Sequence, residues 1–281
     1  MSDYPNVEAM LADAALRLDK LGAASGVLFV EGEDDRRLLA DRIVPAEQLI
    51  VGGGKSRVLR ACAARESEEE GAYLFLVDCD FDVPAGRLKP GGDLIVTHMP
   101  SIESDLVAAG ALRGVVRELV PRARLQGTVA STARIVECRA VALAEGLGRL
   151  RYAARVLDLP LSFESLRANV RKYRKADGPD VEKMLQVLRS QPEQPDFDTD
   201  ELRTLAESAQ SGIQLCDGHD LVSAIATVLR DDFSVEARAA ITLPSLLRLS
   251  ITTEALLESP VGKRLRRWEV RTGRSVIHAA G

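Results

Sequence analysis

The alternation of short strand-like runs with helix-periodic segments over the first hundred residues constrains the fold most strongly. Residues 26–30, 49–51, 72–77 and 93–97 have strand length and character. Helical spacing is predicted for residues 7–21, 34–44 and 56–65, and again from residue 102. Strands that alternate with helices in this way form parallel sheets. We therefore predict an α/β fold with a mainly parallel sheet and crossover helices.

The strand signal fades beyond about residue 112, and the spacing of apolar residues becomes helical. This change predicts three parts: an N-terminal helix in residues 1–23, an α/β domain in residues 24–112, and a mostly helical C-terminal lobe in residues 113–281. A chain of 281 residues is long enough for a core domain with a second lobe.

Acidic residues follow three of the four predicted strands. Glu31 ends the first, Asp78 and Asp80 end the third, and Glu103 comes after the fourth. Because sites in parallel sheets gather at the carboxyl ends of the strands, these acids are expected to converge. Carboxylates suit Mg²⁺ or Mn²⁺, and such an ion can activate water and stabilise charge on a phosphoryl group. We predict a metal site there, with Asp82 as a supporting ligand.

Two of these segments resemble the motifs of Toprim domains. Residues 27–35 resemble the first motif, a hydrophobic strand that ends in Glu-Gly with an Asp shortly after, and residues 76–80 resemble the second, a strand that ends in Asp-x-Asp. The chain is most similar to a Toprim-related bacterial family close to the overcoming-lysogenization-defect nucleases. Further matches are the Gly-Gly-Gly-Lys turn at residues 52–55, Asp78–Phe81, Ile102–Ser104 and, more weakly, Gly218–Leu221.

The resemblance implies a metal-dependent nuclease that cleaves DNA or RNA. It gives Glu31 the role of general acid/base or metal ligand, Asp78 and Asp80 the role of metal ligands, and Glu103 a place at a second ion. Some relatives are anti-phage effectors that work with an ATPase partner, and self-association is compatible with this role. Two alternatives stay open: a non-catalytic regulator or adaptor that binds a metal or a nucleotide, and an enzyme of phosphoryl transfer on a small nucleotide.

The turn at residues 52–55 resembles a P-loop only in part. A P-loop requires a glycine at position 49, where this chain has Leu49. Lys55 could still contact one phosphate as a point charge beside backbone N–H groups. The alternative is a glycine turn selected for its geometry alone.

Basic residues form two dense clusters, one containing Arg171, Arg174 and Lys175 and the other in residues 263–267. Each could contact a phosphate backbone, although basic runs of this kind are more often solvated surfaces. His219, within the Gly218–Leu221 segment, is a further candidate site residue.

Composition and charge leave the substrate open. The formal net charge is −5, so contact with nucleic acid would need a local basic patch or metal ions. The four cysteines lack CxxC spacing, and the first ten residues do not resemble a signal peptide. We therefore expect a cytoplasmic protein.

Overall fold

The structure is a computed structural model that describes residues 6–65, 71–175, 178–191, 194–236 and 239–277. The first five residues of the N-terminal segment discussed above lie outside these ranges. In the part of the chain that is described, the helices, in chain order, are α1 Val7–Leu21, α2 Glu33–Leu39, α3 Lys55–Ala64, α4 Ile102–Ala108, α5 Leu112–Leu119, α6 Val129–Val156, α7 Glu164–Ala168, α8 Val181–Ser190, α9 Thr199–Ser208, α10 Gly218–Phe233, α11 Ala239–Ser250, α12 Thr253–Glu258 and α13 Pro260–Thr272. The strands are β1 Val27–Val30, β2 Leu49–Val51, β3 Tyr73–Val77, β4 Leu94–Val96, β5 Arg174–Lys175 and β6 Gly178–Pro179.

The four N-terminal strands form one sheet in the order β2-β1-β3-β4, and every pair in it is parallel. This result confirms the predicted α/β class and the parallel sheet. The central strands β1 and β3 are buried along their whole length. Such burial explains their unbroken apolar sequence, because helices cover a parallel sheet on both faces.

Most predicted element bounds in this region agree with the structure to within one or two residues. The exception is the helix predicted for residues 34–44, which ends at Leu39. Asp41 has a φ of 56°, in the left-handed region, and the Asp41 N–H donates to the carbonyl of Val44 at 2.8 Å. Ile43 and Val44 are buried, but they belong to a tight turn rather than to a helix.

The chain divides into two compact units. The first contains residues 1–79, 89–98 and 252–281, and the second contains residues 80–88 and 99–251. The division predicted from periodicity followed chain order, whereas the first unit combines three separate stretches of chain. The C-terminal helices α12 and α13 therefore belong with the sheet.

Aromatic packing holds the sheet of the first unit together. Phe29 of β1 stacks on Phe75 of β3 with ring centroids 4.7 Å apart, and Tyr73 meets Phe29 edge-on at 5.7 Å. These rings lie on neighbouring strands in register, Phe29 opposite Phe75. Offset and edge-on aromatic pairs of this kind contribute about 0.5–1.5 kcal/mol beyond their buried area.

The second unit is built around the long helix α6, which packs against α5, α9 and α10. Its buried residues, such as Val136, Leu143, Leu147 and Leu150, recur at helical spacing. The described part of this unit also contains the small antiparallel hairpin of β5 and β6, which includes part of the basic run around Arg174. In the described part of the chain, no helix combines the length and apolar character that crossing a bilayer requires.

Candidate functional site

Glu31 and Asp78 are brought together at the carboxyl edge of the sheet in the first unit. Glu31 follows β1 and Asp78 follows β3, and these strands are neighbours at the centre of the sheet. The Asp78 N–H donates to Oε1 of Glu31 at 2.6 Å. Both residues are half-buried, so they face the edge of the core rather than open solvent. The Glu31 carboxylate therefore lies against the backbone of Asp78, where two neighbouring strands end at one edge of the sheet.

Lys55 lies at the same edge, in the first turn of α3. Its Nζ donates to the carbonyl of Cys79 at 3.2 Å, directly after Asp78. The N–H of Cys79 in turn donates to Oγ1 of Thr97 at 2.9 Å, just beyond β4. Thr97 therefore fixes the chain after β3, a role the sequence analysis did not assign because nothing marks Thr97 locally.

The glycine turn at residues 52–54 is explained largely by its geometry. A β-carbon on Gly52 would lie 2.5 Å from the Val58 side chain, and Gly54 has a φ of 122°. The N–H groups of Gly52 and Gly54 donate to the carbonyls of Val30 and Glu31, both at 2.8 Å. Two of the turn's backbone donors are thus already used to hold it against β1.

Asp80 belongs to the second unit, because the division between units falls after Cys79. Asp80 and Phe81 have φ values of 44° and 66°, so the chain turns sharply there. The Asp80 N–H donates to the carbonyl of Pro100 at 2.8 Å. Asp80 also acts electrostatically on Arg151. Burial lowers the pKa of Arg151, but Asp220 and, more weakly, Asp80 raise it, so that it lies above its ordinary value.

Asp82 forms an ion pair with Arg155 in the second unit. The side chain of Asp82 is 6% exposed. A buried carboxylate is costly unless a partner compensates its charge, and Arg155 supplies that compensation. The ion pair therefore favours a role in holding the turn after Asp80 over the predicted role as a supporting metal ligand.

Glu103 lies in the first turn of α4, against the start of α10. A β-carbon built on Gly218 would be 2.6 Å from Oε2 of Glu103 and 2.1 Å from Oγ of Ser101. The Ser104 hydroxyl donates to the carbonyl of Cys216 at 2.6 Å. The structure thus brings together, within one unit, the two motif segments around residues 102–104 and 218–221. His219 is exposed on α10, and its N–H donates to Oδ1 of the N-cap residue Asp217 at 3.0 Å.

A buried ion pair stands beside this contact. Asp220 is fully buried and receives two hydrogen bonds from Arg151, Nε to Oδ2 at 2.6 Å and Nη2 to Oδ1 at 3.0 Å. Burial raises the pKa of Asp220, and the Arg151 guanidinium opposes that shift. Arg151 also stacks over Phe163 at 4.7 Å. The sequence did not predict this pair, because its members are 69 residues apart and the motif resemblance of Gly218–Leu221 does not identify a partner for Asp220.

The predicted phosphate contacts in the second unit are each paired with an aspartate. Arg171 contacts Asp231 at 3.0 Å, Arg174 contacts Asp232 at 3.1 Å, and Lys175 contacts Asp180 at 3.0 Å. Arg139 shares Asp232 at 2.9 Å. A phosphate would therefore have to compete with carboxylates for these three cations.

Among the described residues, no three His, Cys, Asp or Glu side chains are grouped so that they could hold a metal ion. The pair of Glu31 and Asp78 is thus the closest approach of predicted metal ligands within the first unit. Comparisons with models of protein families, with curated protein sequences and with solved structures found no match to this chain.

Proposed function

We propose that this chain is a Toprim-like nuclease that requires Mg²⁺ or Mn²⁺ and hydrolyses phosphodiester bonds in DNA or RNA. The observation that supports the proposal best is the hydrogen-bonded pair of Glu31 and Asp78 at the carboxyl ends of the two central strands. Sheets of this kind usually carry their sites at that edge. The resemblance of both strand ends to Toprim motifs points the same way.

The donor set fits a small divalent cation. Glu31 and Asp78 offer carboxylate oxygens, the ligands that Mg²⁺ prefers, and Mg²⁺ is commonly held by one or two carboxylates while it keeps several waters. A pair of acids is therefore sufficient without a larger cluster. When bound, such an ion supplies a more acidic water and stabilises negative charge on a phosphoryl group.

The chain's own residues have distinct proposed roles. Glu31 would hold the cation or exchange a proton with the attacking water or the leaving oxygen. Lys55, at the same edge of the first unit, would contact a phosphate oxygen as a point charge. Asp80 is proposed as a further ligand on its sequence spacing from Asp78, and Glu103 as a ligand of a second ion on the motif resemblance.

The resemblance also supports a cellular role. We propose that the protein acts in anti-phage defence with an ATPase partner, which would restrain or direct the nuclease, and that the chain functions in the cytoplasm. A nuclease that is harmful to its own cell needs such control. His219, exposed at the start of α10, is the weakest of the proposed site residues, because it is proposed on the motif resemblance alone.

A non-catalytic regulator that binds a metal or a nucleotide is the second candidate. The observation in its favour is the absence, among the described residues, of a group of three metal-binding side chains. An adaptor could use two carboxylates to bind an ion without any need for a complete catalytic set. Cleavage activity separates the two candidates.

The test measures cleavage of DNA, tRNA and other RNA by the purified chain, with Mg²⁺, with Mn²⁺ and with a chelator, each with and without a co-encoded ATPase. Thermal unfolding in the same buffers reports metal binding, because a ligand that binds the folded state raises the melting temperature. The nuclease proposal predicts metal-dependent cleavage together with a rise in melting temperature. A rise without cleavage of any substrate would support the regulator, and no rise with either metal would count against the nuclease and against a regulator that binds a metal.

A further inference from the structure

A groove of about 310 Å³ lies in the first unit beside strand β4. Residues 90–92 and 94–96 contribute to its lining, and the rest comes from α13. Strand β4 is the last in the order β2-β1-β3-β4, so no further strand among the described residues pairs with its outer edge. Unpaired strand edges are usually covered or charged, and in this protein α13 supplies the charge.

Three arginines of α13 face the groove: Arg264, Arg267 and Arg271. Their spacing of three and four residues places them on one side of the helix. At a rise of 1.5 Å per residue, the first and third are roughly 10 Å apart along the axis. Arg264 donates to the carbonyl of Val96, and Arg271 donates to the carbonyl of Gly92 at 3.0 Å.

Charge in the groove is positive. No Asp or Glu is found among the described residues that line it. The nearby carboxylate of Asp93 is fully buried and shared, since Arg65 and the Trp268 indole contact it at 3.0 Å and Arg271 contacts it as well. In a chain of net charge −5, this groove is a local concentration of cations. The planar guanidinium group matches phosphate oxygens in geometry as well as in charge.

We propose that this groove binds the sugar–phosphate backbone of a single nucleic-acid strand, an inference that rests on the proposed nuclease function. A row of arginines roughly 10 Å long is longer than one phosphate group needs, whereas the volume is small for a duplex. Trp268 is 2% exposed and its Nε1 is bonded to Asp93, so the indole does not stack on a base. Binding therefore lacks base preference and depends strongly on salt.

Arg267 is the best position for the test, because it is exposed and its Nε donates within the same helix, to the Lys263 carbonyl at 3.3 Å. Arg266 provides the matched control. It directly precedes Arg267 in the same helix, it carries the same charge, and it contacts Glu258 at 3.2 Å rather than lining the groove. Each is changed to Gln, and Arg267→Lys serves as a variant that keeps the charge without the planar fork.

Binding of labelled oligo(dT) and of a mixed-sequence strand is measured by fluorescence anisotropy in a chelator, over a series of salt concentrations. Arg267→Gln is expected to weaken binding of both strands about three- to tenfold. The slope of log affinity against log salt concentration should fall in magnitude by about one. Arg266→Gln should stay close to the parent, and Arg267→Lys should fall between parent and Arg267→Gln. Melting temperatures confirm that each variant is folded.

Three results would overturn the proposed role of the groove. The first is an equal loss of affinity in Arg266→Gln and Arg267→Gln, and the second is tighter binding of duplex than of single strands. The third is displacement of the labelled strand by tripolyphosphate as effectively as by an unlabelled strand, at equal phosphate concentration. Because binding is measured without metal, the two proposals fail separately. If the parent cleaves nucleic acid while Arg267→Gln binds single strands as tightly as the parent, only the proposal for the groove is contradicted. If the parent never cleaves nucleic acid, but Arg267→Gln binds single strands more weakly than the parent, only the nuclease proposal is contradicted.

Discussion

Gly218 sits where the side chains of Ser101 and Glu103 leave no room for a β-carbon. The nearest atoms would be 2.1 and 2.6 Å away, closer than real β-carbons approach their neighbours. A single missing methyl group thus allows the start of α10 to lie against the first turn of α4. The position of Glu103 consequently depends on a residue 115 places further along the chain, which has no chemistry of its own.

Gly218→Ala is expected to lower the free energy of unfolding by about 1–3 kcal/mol, because the added methyl overpacks this contact. Chemical denaturation of parent and variant measures the loss. Ser101→Ala removes Oγ, the nearer of the two colliding atoms. Gly218→Ala should therefore cost less stability in the Ser101→Ala background than in the parent. A Gly218→Ala protein as stable as the parent would show that the contact is looser than the structure describes.

At the residue scale, the sequence predicted positions that depend on strand ends. Glu31 and Asp78 could be placed at one edge because each directly follows a recognisable apolar strand. The ion pairs of Asp82 with Arg155 and of Asp220 with Arg151 could not be predicted, because each partner is about seventy residues away. The resemblance of Gly218–Leu221 to a family motif gave no hint that its glycine touches Glu103.

At the scale of single elements, the basic run at residues 171–175 differs from a simple helical surface. It forms a short 3₁₀ turn, Val170–Tyr173, followed by the strand β5. The basic side chains contact aspartates, two of which, Asp231 and Asp232, lie in the last turn of α10. Spacing along the sequence showed the cluster of cations but not the anions that the fold sets against it.

Because phosphates would compete with these aspartates for the basic side chains, removing the cations and removing the aspartates should change nucleic-acid affinity in opposite directions. If the cations contact a nucleic-acid backbone, the triple change of Arg171, Arg174 and Lys175 to Ala should weaken binding uniformly across sequences and lower the salt slope by about one per lost contact. The change of Asp231 and Asp232 to Asn should strengthen binding, because it releases the arginines. Unchanged affinity in both variants would leave these pairs with a structural role alone.

A second element-scale feature joins β4 to α13 within the first unit. Asp93, directly before β4, is fully buried and accepts hydrogen bonds from the Trp268 indole at 3.0 Å and from the Gly71 N–H at 3.1 Å. Burial by itself would raise the pKa of Asp93, but the hydrogen bonds from Arg271, Gly71 and Trp268 outweigh it and hold this pKa below its ordinary value. The carboxylate thus works as a charged anchor for the C-terminal helix.

Asp93→Asn should lower the free energy of unfolding by about 1–3 kcal/mol at neutral pH, because it removes the buried anion that Arg65 and Arg271 contact. A carboxyl whose pKa is lowered by folding adds stability above its unfolded pKa of about 3.9, and this stability is lost as the pH falls through the folded value. The difference between parent and variant should therefore be constant from neutral pH down to about 5 and shrink below about 4.

Urea unfolding over this pH range measures the effect, and Asp158→Asn is the control. Asp158 also has a lowered pKa, caused first by its hydrogen bond from Arg87, but its side chain is 81% exposed. Solvent screens such a pair, so its removal should change stability little. A constant Asp93→Asn difference down to pH 3 would contradict the charged-anchor account.

At the scale of the whole molecule, the order of elements along the chain is a poor guide to how they group. The α/β class and the parallel sheet were predictable, because apolar runs of strand length alternate with helices over the first hundred residues. The return of residues 252–281 to the first unit was not, because it depends on contacts such as Trp268 with Asp93, 175 residues apart. A change of periodicity near residue 112 marks where strands end, and such a change carries no information about which helices pack together.

The division between units also falls inside the predicted Asp-x-Asp motif, after Cys79. Glu31, Lys55 and Asp78 belong to the first unit, and Asp80, Asp82 and Glu103 belong to the second. The central claim is therefore tested most cleanly within the first unit, at the pair of Glu31 and Asp78.

The most direct measurement compares cleavage rates of Glu31→Gln and Glu33→Gln with the parent in Mg²⁺, on folded protein. Both variants make the same chemical change two residues apart, and Glu33 contacts Arg36 at 2.8 Å on the surface of α2 rather than Asp78. Loss of a charge that holds a metal or moves a proton should slow Glu31→Gln by about 10²–10⁴, while Glu33→Gln stays close to the parent. A folded Glu31→Gln protein that cleaves as fast as the parent would contradict the account.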